Sequence, residues 1–465
     1  MEVSQALYQN KMVVTKHLKL MKISEKYLAN ISVASVCALL FIWVLPNTIA
    51  LRHGLLVVGC ISGAFLIKKN WNSFYPFSVK LMPLYAIICL FIWVGIHYCF
   101  FSLNPALELS EIKGLWIRTF FGFIMAMGFA IALSQNNSLR KYFYISIFFV
   151  PIINVLAYVY ACYLNGGFIE PNAFVFFLYA KIETAYFGAL AASFAVSNII
   201  YFLVVNKKKY PPWTIGLCVL GIVLVLVSAL VSSTKNGIAI ALGLCALLFL
   251  VILVNATLNA VESKLFSLGV ALFILIAATI VWQGHKSVGY KGWDTVFQDA
   301  KTGLDVDKNQ QWQKLEGSVP FPLNSLGIPA VSNTYTRFAY AAVGVRLISQ
   351  YPLGYGSVNQ SFNGLQGIAE IPHEHRGQVH SGWIDFGLAF GLPGILFLLS
   401  SFFYTIYLGV RRHGELDLIA TAFSLTLLGF CLIAEMSYKQ YFESWIFMMT
   451  FSAAIVALSV GKKSK

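Results

Sequence analysis

The sequence contains few charged residues for its length. Only 11% of its 465 residues are Asp, Glu, Lys or Arg, whereas a soluble domain usually carries about 25%. Hydrophobic residues make up 58% of the chain, and the mean hydropathy is +0.73. This composition excludes a soluble globular protein and indicates a polytopic membrane protein.

Cysteine is absent from the longest polar segment of the chain. The eight cysteines all lie in apolar stretches: Cys37, Cys60, Cys89, Cys99, Cys162, Cys218, Cys245 and Cys431. Disulfides and thiolate metal sites are therefore not expected. The sequence also lacks an internal repeat and a matching pair of spans broken by Gly or Pro. The second absence disfavours many secondary transporters.

The apolar segments are each long enough to cross a hydrocarbon layer about 30 Å thick. They predict an all-α polytopic membrane protein with about twelve transmembrane helices. These predicted spans are residues 31–49, 53–67, 81–100, 117–134, 142–163, 184–205, 212–231, 237–255, 265–283, 382–409, 415–434 and 444–460.

Basic residues outnumber acidic ones by 33 to 19, but their distribution favours a membrane topology over nucleic-acid binding. With a cytoplasmic N-terminal segment 1–30, the loops on that side carry about three times as many basic residues as the short outer loops. No cleavage site follows the first span, so we expect it to be retained. We predict membrane regions at 31–283 and 382–460, followed by a cytoplasmic tail at 461–465.

Residues 284–381 form the one long polar segment, between the ninth and tenth predicted spans. Within it, Thr336–Gln350 has apolar residues at helical spacing and contains Arg337 and Arg346. The stretch YPLGYG follows and indicates a tight turn. We predict that the segment is a partly helical outer subdomain, because a structureless loop of this length is uncommon.

Three histidines lie close together near the end of this segment, in PHEHRGQVHSGW. His373, His375 and His380 could supply three imidazoles to a metal. However, neither a thiolate nor a clustered carboxylate completes a familiar ligand spacing. A metal site is the weaker interpretation, and His373 and His375 are more typical of a solvated loop.

The residues after His380 carry a more specific pattern. Nine residues separate His380-Ser381 from Gly391-Leu392-Pro393-Gly394. Arg337 lies fifteen residues before Pro352-Leu353-Gly354-Tyr355-Gly356. Both spacings, together with about twelve spans and a long outer loop after the ninth, resemble the O-antigen ligase and polymerase family of bacterial membrane glycosyltransferases. One element departs from the family: where its members have a Ser-Arg-Gly-like sequence, this chain has Ser233-Thr234-Lys235-Asn236-Gly237.

The resemblance implies a reaction at the periplasmic face of the bacterial inner membrane. A glycan would be transferred from undecaprenyl diphosphate to a hydroxyl of lipid A-core, without a metal or another cofactor. His380 would be the general base, and the start of a helix would favour its neutral form. Arg337, also assigned to catalysis, and Lys235 would hold the donor diphosphate, with a weaker contribution from Arg346.

Helix geometry limits the part that Arg346 can play. Nine residues separate it from Arg337, and at 100° per residue the two side chains point in opposite directions from a straight helix. They cannot both face one phosphate, and the motif favours Arg337.

Other functions remain open at this point. An O-antigen polymerase and a protein O-oligosaccharyltransferase share the same signature and differ only in the acceptor. A transporter of lipid-linked glycans belongs to a different class and would need charged residues deep in the spans. The expected partners are the lipid-linked donor, the lipid A-core acceptor and membrane lipids, with no nucleic acid.

Overall fold

The computed structural model describes residues 24–75, 77–170, 181–206, 212–258, 264–284, 294–314, 318–372, 378–434 and 439–459. Its first eleven helices are α1 Glu25–Ile42, α2 Ile49–Lys69, α3 Met82–Phe100, α4 Pro105–Glu111, α5 Ile117–Gln135, α6 Asn137–Ser146, α7 Phe149–Leu164, α8 Lys181–Ile200, α9 Pro212–Val231, α10 Lys235–Leu258 and α11 Lys264–Gly284. The other six are α12 Val296–Leu304, α13 Ser332–Gln350, α14 Ser361–Ile368, α15 Gly382–Arg412, α16 Glu415–Ile433 and α17 Lys439–Leu458.

Eleven spans in the described residues are long and apolar enough to cross a membrane, and Leu268–Gly284 is a shorter apolar helix at the predicted ninth span. The predicted all-α polytopic membrane fold is therefore confirmed. Short π-helices at Ile112–Trp116 and Tyr201–Val205 extend two of the spans.

The first span begins and ends earlier than the predicted 31–49. Helix α1 ends at Ile42, and Pro46 and Asn47 lie in the turn that follows it. The hydroxyl of Thr48 donates to the carbonyl oxygens of Ile42 at 3.1 Å and Leu45 at 2.8 Å. Apolar side chains continue through this turn, so hydropathy alone could not locate the end of the helix.

Helix α17 is the most buried of the candidate spans, with 94% of its apolar window inside the protein. It packs against α5 and α16, and its residues from Trp445 to Val456 are almost all inaccessible.

Helices α2 and α5 approach each other closely, because a Cβ added to Gly128 would collide with the backbone of Gly63. Small residues permit such contacts between membrane helices.

The segment between α11 and α15 has a hydrophobic cluster of its own. Its buried members include Trp312, Tyr335, Tyr340 and Phe362, and Leu388 joins them from α15. Helix α13 begins at Ser332, four residues before the predicted start, and ends at Gln350 as predicted. We call the end of the bundle that carries this segment the loop end.

Helix α15 is broken at Gly391, where φ is 65° and ψ is −165°. The turn at 352–356 packs into this break: the N–H of Tyr355 donates to the carbonyl of Leu388 at 2.8 Å, and that of Gly356 to Ala389 at 2.7 Å. Pro393 has no N–H to offer Ala389. The turn therefore supplies the hydrogen bond that the helix has lost.

The reverse contact completes the pairing of the turn with the helix break. The N–H of Leu392 donates to the carbonyl of Pro352 at 2.8 Å. A Cβ added to Gly391 would collide with that same carbonyl oxygen. The two glycine-containing motifs are thus two halves of one backbone contact, which explains why both need glycine.

Two carboxylates of α4 hold the same turn from the other side. Glu111 accepts hydrogen bonds from the hydroxyl of Ser357 at 2.6 Å and the N–H of Val358 at 2.8 Å. Glu108 is fully buried against Gly356 and contacts Nδ1 of His97 at 2.9 Å. Because buried carboxylates need partners, these contacts fix the turn relative to α3 and α4.

Candidate functional site

The carbonyl end of α16, at residues 431–434, contacts Arg337 and the close sequence neighbours of two other predicted site residues, Lys235 and His380. The carbonyl of Ile433 accepts hydrogen bonds from Asn236 Nδ2 at 2.8 Å and from Arg337 Nη1 at 3.5 Å. The N–H of Gly382 donates to the carbonyl of Ala434 at 2.8 Å. Lys235, Arg337 and His380 are therefore brought to one place, although they are far apart in sequence.

Lys235 begins α10, and its neighbour Gly237 lies against α8. A Cβ on Gly237 would come within 3.2 Å of the Cα of Ala185, so any larger residue would push the two helices apart. This close contact fixes where Lys235 emerges at the loop end. Lys235 is half-buried, as is the adjacent Asn236.

Arg337 lies in the second turn of α13, on the side that faces the membrane helices. Arg337 is exposed, and its guanidinium reaches α16 through a long contact with the carbonyl of Ile433. Tyr335 and Ala339, on the neighbouring face, are fully buried. The helix is thus fixed by its apolar face, while Arg337 lies exposed beside the end of α16.

His380 occupies the short turn that leads into α15. Asp385, in the first turn of that helix, is buried and accepts the N–H of Val379 at 2.7 Å. The hydroxyl of Ser381 lies 3.5 Å from the carbonyl of Cys431. A buried carboxylate and the end of α16 therefore hold the backbone on both sides of His380.

Backbone strain accompanies two of the predicted elements. His380 has a φ of 61°, and Ser233, two residues before Lys235, has a φ of 49°. A left-handed conformation costs a non-glycine residue about 1–2 kcal/mol. Such strain persists where the surrounding structure enforces it, and it is concentrated at functional sites.

Arg346 lies apart from this group, and its weaker role in donor binding stays a prediction. It forms a two-pronged ion pair with Asp307, with both N–O distances at 2.7 Å, and the two side chains are 53% and 75% exposed. The Arg346 guanidinium lowers the pKa of Asp307 by hydrogen bonding. The half-turn offset from Arg337 is the physical reason for this placement.

The metal alternative rests largely on His373 and His375, which the structure does not describe. No group of three or more His, Cys, Asp or Glu side chains that could hold a metal occurs in the part of the chain that the structure describes. His373 and His375 lie outside that part, so their predicted place in a solvated loop stays a prediction.

Two sets of buried charges make contacts that the sequence did not predict. Asp385 follows His380 by five residues, but a lone acidic residue in an apolar span gave no sign that it supports the turn. Arg52, Arg118 and Glu443 meet at the loop end, although they belong to three different spans. Charges of opposite sign in the first turns of different spans could have indicated this pairing.

Together, the helices and the site define a multi-pass membrane protein with a group of basic residues and a strained histidine at the loop end. Residues 220–399 match the family model described as O-Antigen ligase. Over these residues the chain is similar to the O-antigen ligase family, a family of ligase- or polymerase-type glycosyltransferases, and the resemblance is confirmed at that level. The match extends from α9 into α15 and includes the three converging residues. No curated protein matches the chain significantly.

Proposed function

We propose that this protein is an O-antigen ligase that transfers a glycan from undecaprenyl diphosphate to a sugar hydroxyl of lipid A-core. In this proposal the loop end of the bundle faces the periplasm, both termini are cytoplasmic, and residues 284–381 form a periplasmic subdomain. The observation that carries the proposal is the meeting of Arg337, Lys235 and His380 at the end of α16.

Each of the three residues has a chemical role in the proposed transfer. His380 takes the proton of the acceptor hydroxyl as its oxygen attacks the anomeric carbon of the donor sugar. The bond from that carbon to the diphosphate oxygen breaks, and the diphosphate leaves with the electron pair. Arg337 and Lys235 stabilise the charge that develops on it. Because diphosphate is already a good leaving group, no general acid is required.

The described charges argue against the transporter alternative. The buried arginine, histidine and carboxylate side chains of the described residues lie near helix ends: Arg52, His97, Glu108, Glu183, Asp299, Asp385, Asp417 and Glu443. A transporter would need charges along a path through the bundle. We therefore favour a surface reaction at the loop end.

Deletion of the gene, followed by gel analysis of the lipopolysaccharide, tests the proposed acceptor. A ligase predicts that lipid A-core loses all its O-chains while long chains accumulate on the lipid carrier. Decoration with a single repeat unit would instead indicate a polymerase. An unchanged ladder would exclude both, and loss of glycan from a protein would indicate a protein-directed transferase.

A further inference from the structure

A second basic group lies at the loop end, formed by Arg52 of α2 and Arg118 of α5. Both contact Glu443 of α17: Arg118 Nε lies 2.9 Å from Oε1, and Arg52 Nε lies 3.7 Å from Oε2. Arg118 Nη1 also donates to His53 Nε2 at 2.9 Å. The exposed fractions are 8% for Arg52, 17% for Arg118 and 1% for Glu443.

Among the residues that the structure describes, the charges in this group do not balance. Two guanidiniums share one carboxylate, and His53 contributes an acceptor nitrogen but no negative charge. Among the described residues, Arg118 Nη2 is buried without a hydrogen-bond acceptor. Two guanidiniums carry ten N–H donors, and a buried positive charge without a partner is costly. The group therefore favours an additional anion.

The surroundings indicate where this anion comes from. Leu51 and Ile117, which precede the two arginines, are large exposed apolar residues in candidate spans. Such residues on the outside of a membrane helix face lipid. Arg118 is partly accessible beside them, in the first turn of α5. In the proposed topology this turn lies toward the periplasmic side of the bilayer, where lipid headgroups are found. The abundant anion at that depth is a phosphate, which guanidinium can bind through two parallel hydrogen bonds.

Helix α17 separates this group from the site around Ile433. Tyr441 of α17 packs against Tyr186, with ring centroids 5.9 Å apart, and Tyr186 packs in turn against Phe430 of α16. Glu443 follows Tyr441 by two residues and therefore points to nearly the opposite side of the helix. The two basic groups thus lie on different sides of α17, about one helix diameter apart, or roughly 10 Å.

We propose that Arg52 and Arg118 form a binding site for the phosphate headgroup of a membrane lipid, separate from the proposed donor site. Glu443 positions the two guanidiniums and limits their net charge to one, which suits a singly charged phosphate ester. The site stands on the geometry of these residues and does not depend on the proposed glycan transfer.

The alternative is that Glu443 only ties three helices together as a buried ion-pair network. The two possibilities differ in the effect of Glu443→Gln. A lipid site predicts tighter binding of phosphate after this change, because a competing negative charge has been removed. A purely structural network predicts lower stability and no gain in binding.

Native mass spectrometry of the full-length protein in detergent tests the proposal. The probes are phosphatidylglycerol, diacylglycerol without a phosphate, and lipid A that keeps or lacks its phosphates. Arg118→Gln should weaken retention of the phosphate-bearing lipids by about tenfold. The matched control is Arg346→Gln, which removes the same charge from an exposed ion pair on α13 and should leave retention unchanged.

The lipid probes also distinguish the sources of the phosphate. Preference for phosphorylated lipid A would identify an acceptor-type ligand, whereas equal binding of phosphatidylglycerol would identify an ordinary bilayer lipid. Either result supports the site if Arg118→Gln weakens lipid retention and Glu443→Gln strengthens it. If Glu443→Gln fails to fold, Arg118→Lys, which keeps the positive charge, should retain more lipid than Arg118→Gln. Equal retention by the wild type, Arg118→Gln and Arg346→Gln would overturn the proposal, as would competition by inorganic phosphate without any preference for lipid.

Discussion

Arg337 and Arg346 occupy the same helix and have opposite surroundings. Arg337 reaches the carbonyl end of α16, whereas Arg346 forms an exposed ion pair with Asp307. Nothing in the amino-acid type distinguishes them, so helix phase decides which one approaches the other site residues. A basic residue close to a motif in the sequence therefore indicates a part in the site only when the direction of its side chain is known.

The largest effect on glycan transfer should come from substitution of His380, which lies near the same end of α16 as Arg337. His380→Ala should lower glycan transfer by about 100-fold to 10,000-fold, the range for loss of a general base, while the protein remains in the membrane. Quantifying lipopolysaccharide from cells that express equal amounts of protein measures the loss. His413→Ala is a matched control, because His413 also has a positive φ, of 55°, but begins the turn at the opposite end of the bundle. Substantial transfer by His380→Ala would rule out the role as base.

Gly391 tests whether the turn after α13 must dock on α15. Gly391→Ala places a Cβ against the carbonyl of Pro352 and forces a non-glycine residue to a φ of 65°. We expect a loss of about 2–4 kcal/mol in the free energy of unfolding, measured by thermal unfolding in detergent. Gly95→Ala in α3, where a Cβ meets nothing within 4 Å, should be neutral or slightly stabilising. Equal stability of the two variants would contradict the docking contact.

Lys235 should have a smaller effect than His380. Lys235→Ala should reduce transfer by roughly tenfold, because one charge-assisted contact to the diphosphate is lost. Lys235→Arg should keep or improve activity, since guanidinium binds phosphate with two prongs. Kinetics against donor concentration would show this change, and the exposed Lys113, changed to Ala, is the control at the same end. A wild-type rate for Lys235→Ala would remove this lysine from the site.

The smallest effect, on thermal stability, should come from breaking the Arg346–Asp307 ion pair on the other side of α13. Arg346 lowers the pKa of Asp307 below its ordinary value of 3.8, so the pair stabilises the folded protein above that value. This contribution is lost as the pH falls through the lowered pKa. Because both groups are exposed, Asp307→Asn should not measurably change the thermal midpoint at neutral pH. A clear drop at neutral pH would mean that the pair holds α13 in place.

Sequence patterns predicted the spans and one helix of the outer segment, because hydropathy and helical spacing depend only on local residues. They also singled out His380, Arg337 and Lys235 by motif spacing. They could not show that Pro352–Gly356 and Gly391–Gly394 are two halves of one contact, since the pairing depends on tertiary structure. The same limit applies to Asp385 and to the Arg52–Glu443–Arg118 group, whose members meet only after the helices pack.

The most direct test of the central claim returns to the two arginines of α13. Purified Arg337→Ala and Arg346→Ala would be compared in a transfer assay with a lipid-diphosphate-linked glycan and lipid A-core. Because Arg337 lies on the side of α13 that faces the membrane helices, we expect Arg337→Ala to lower kcat/KM for the donor by about 100-fold or more. Arg346→Ala should keep the wild-type value. Equal values for the two variants would contradict the claim that Arg337, Lys235 and His380 form one site.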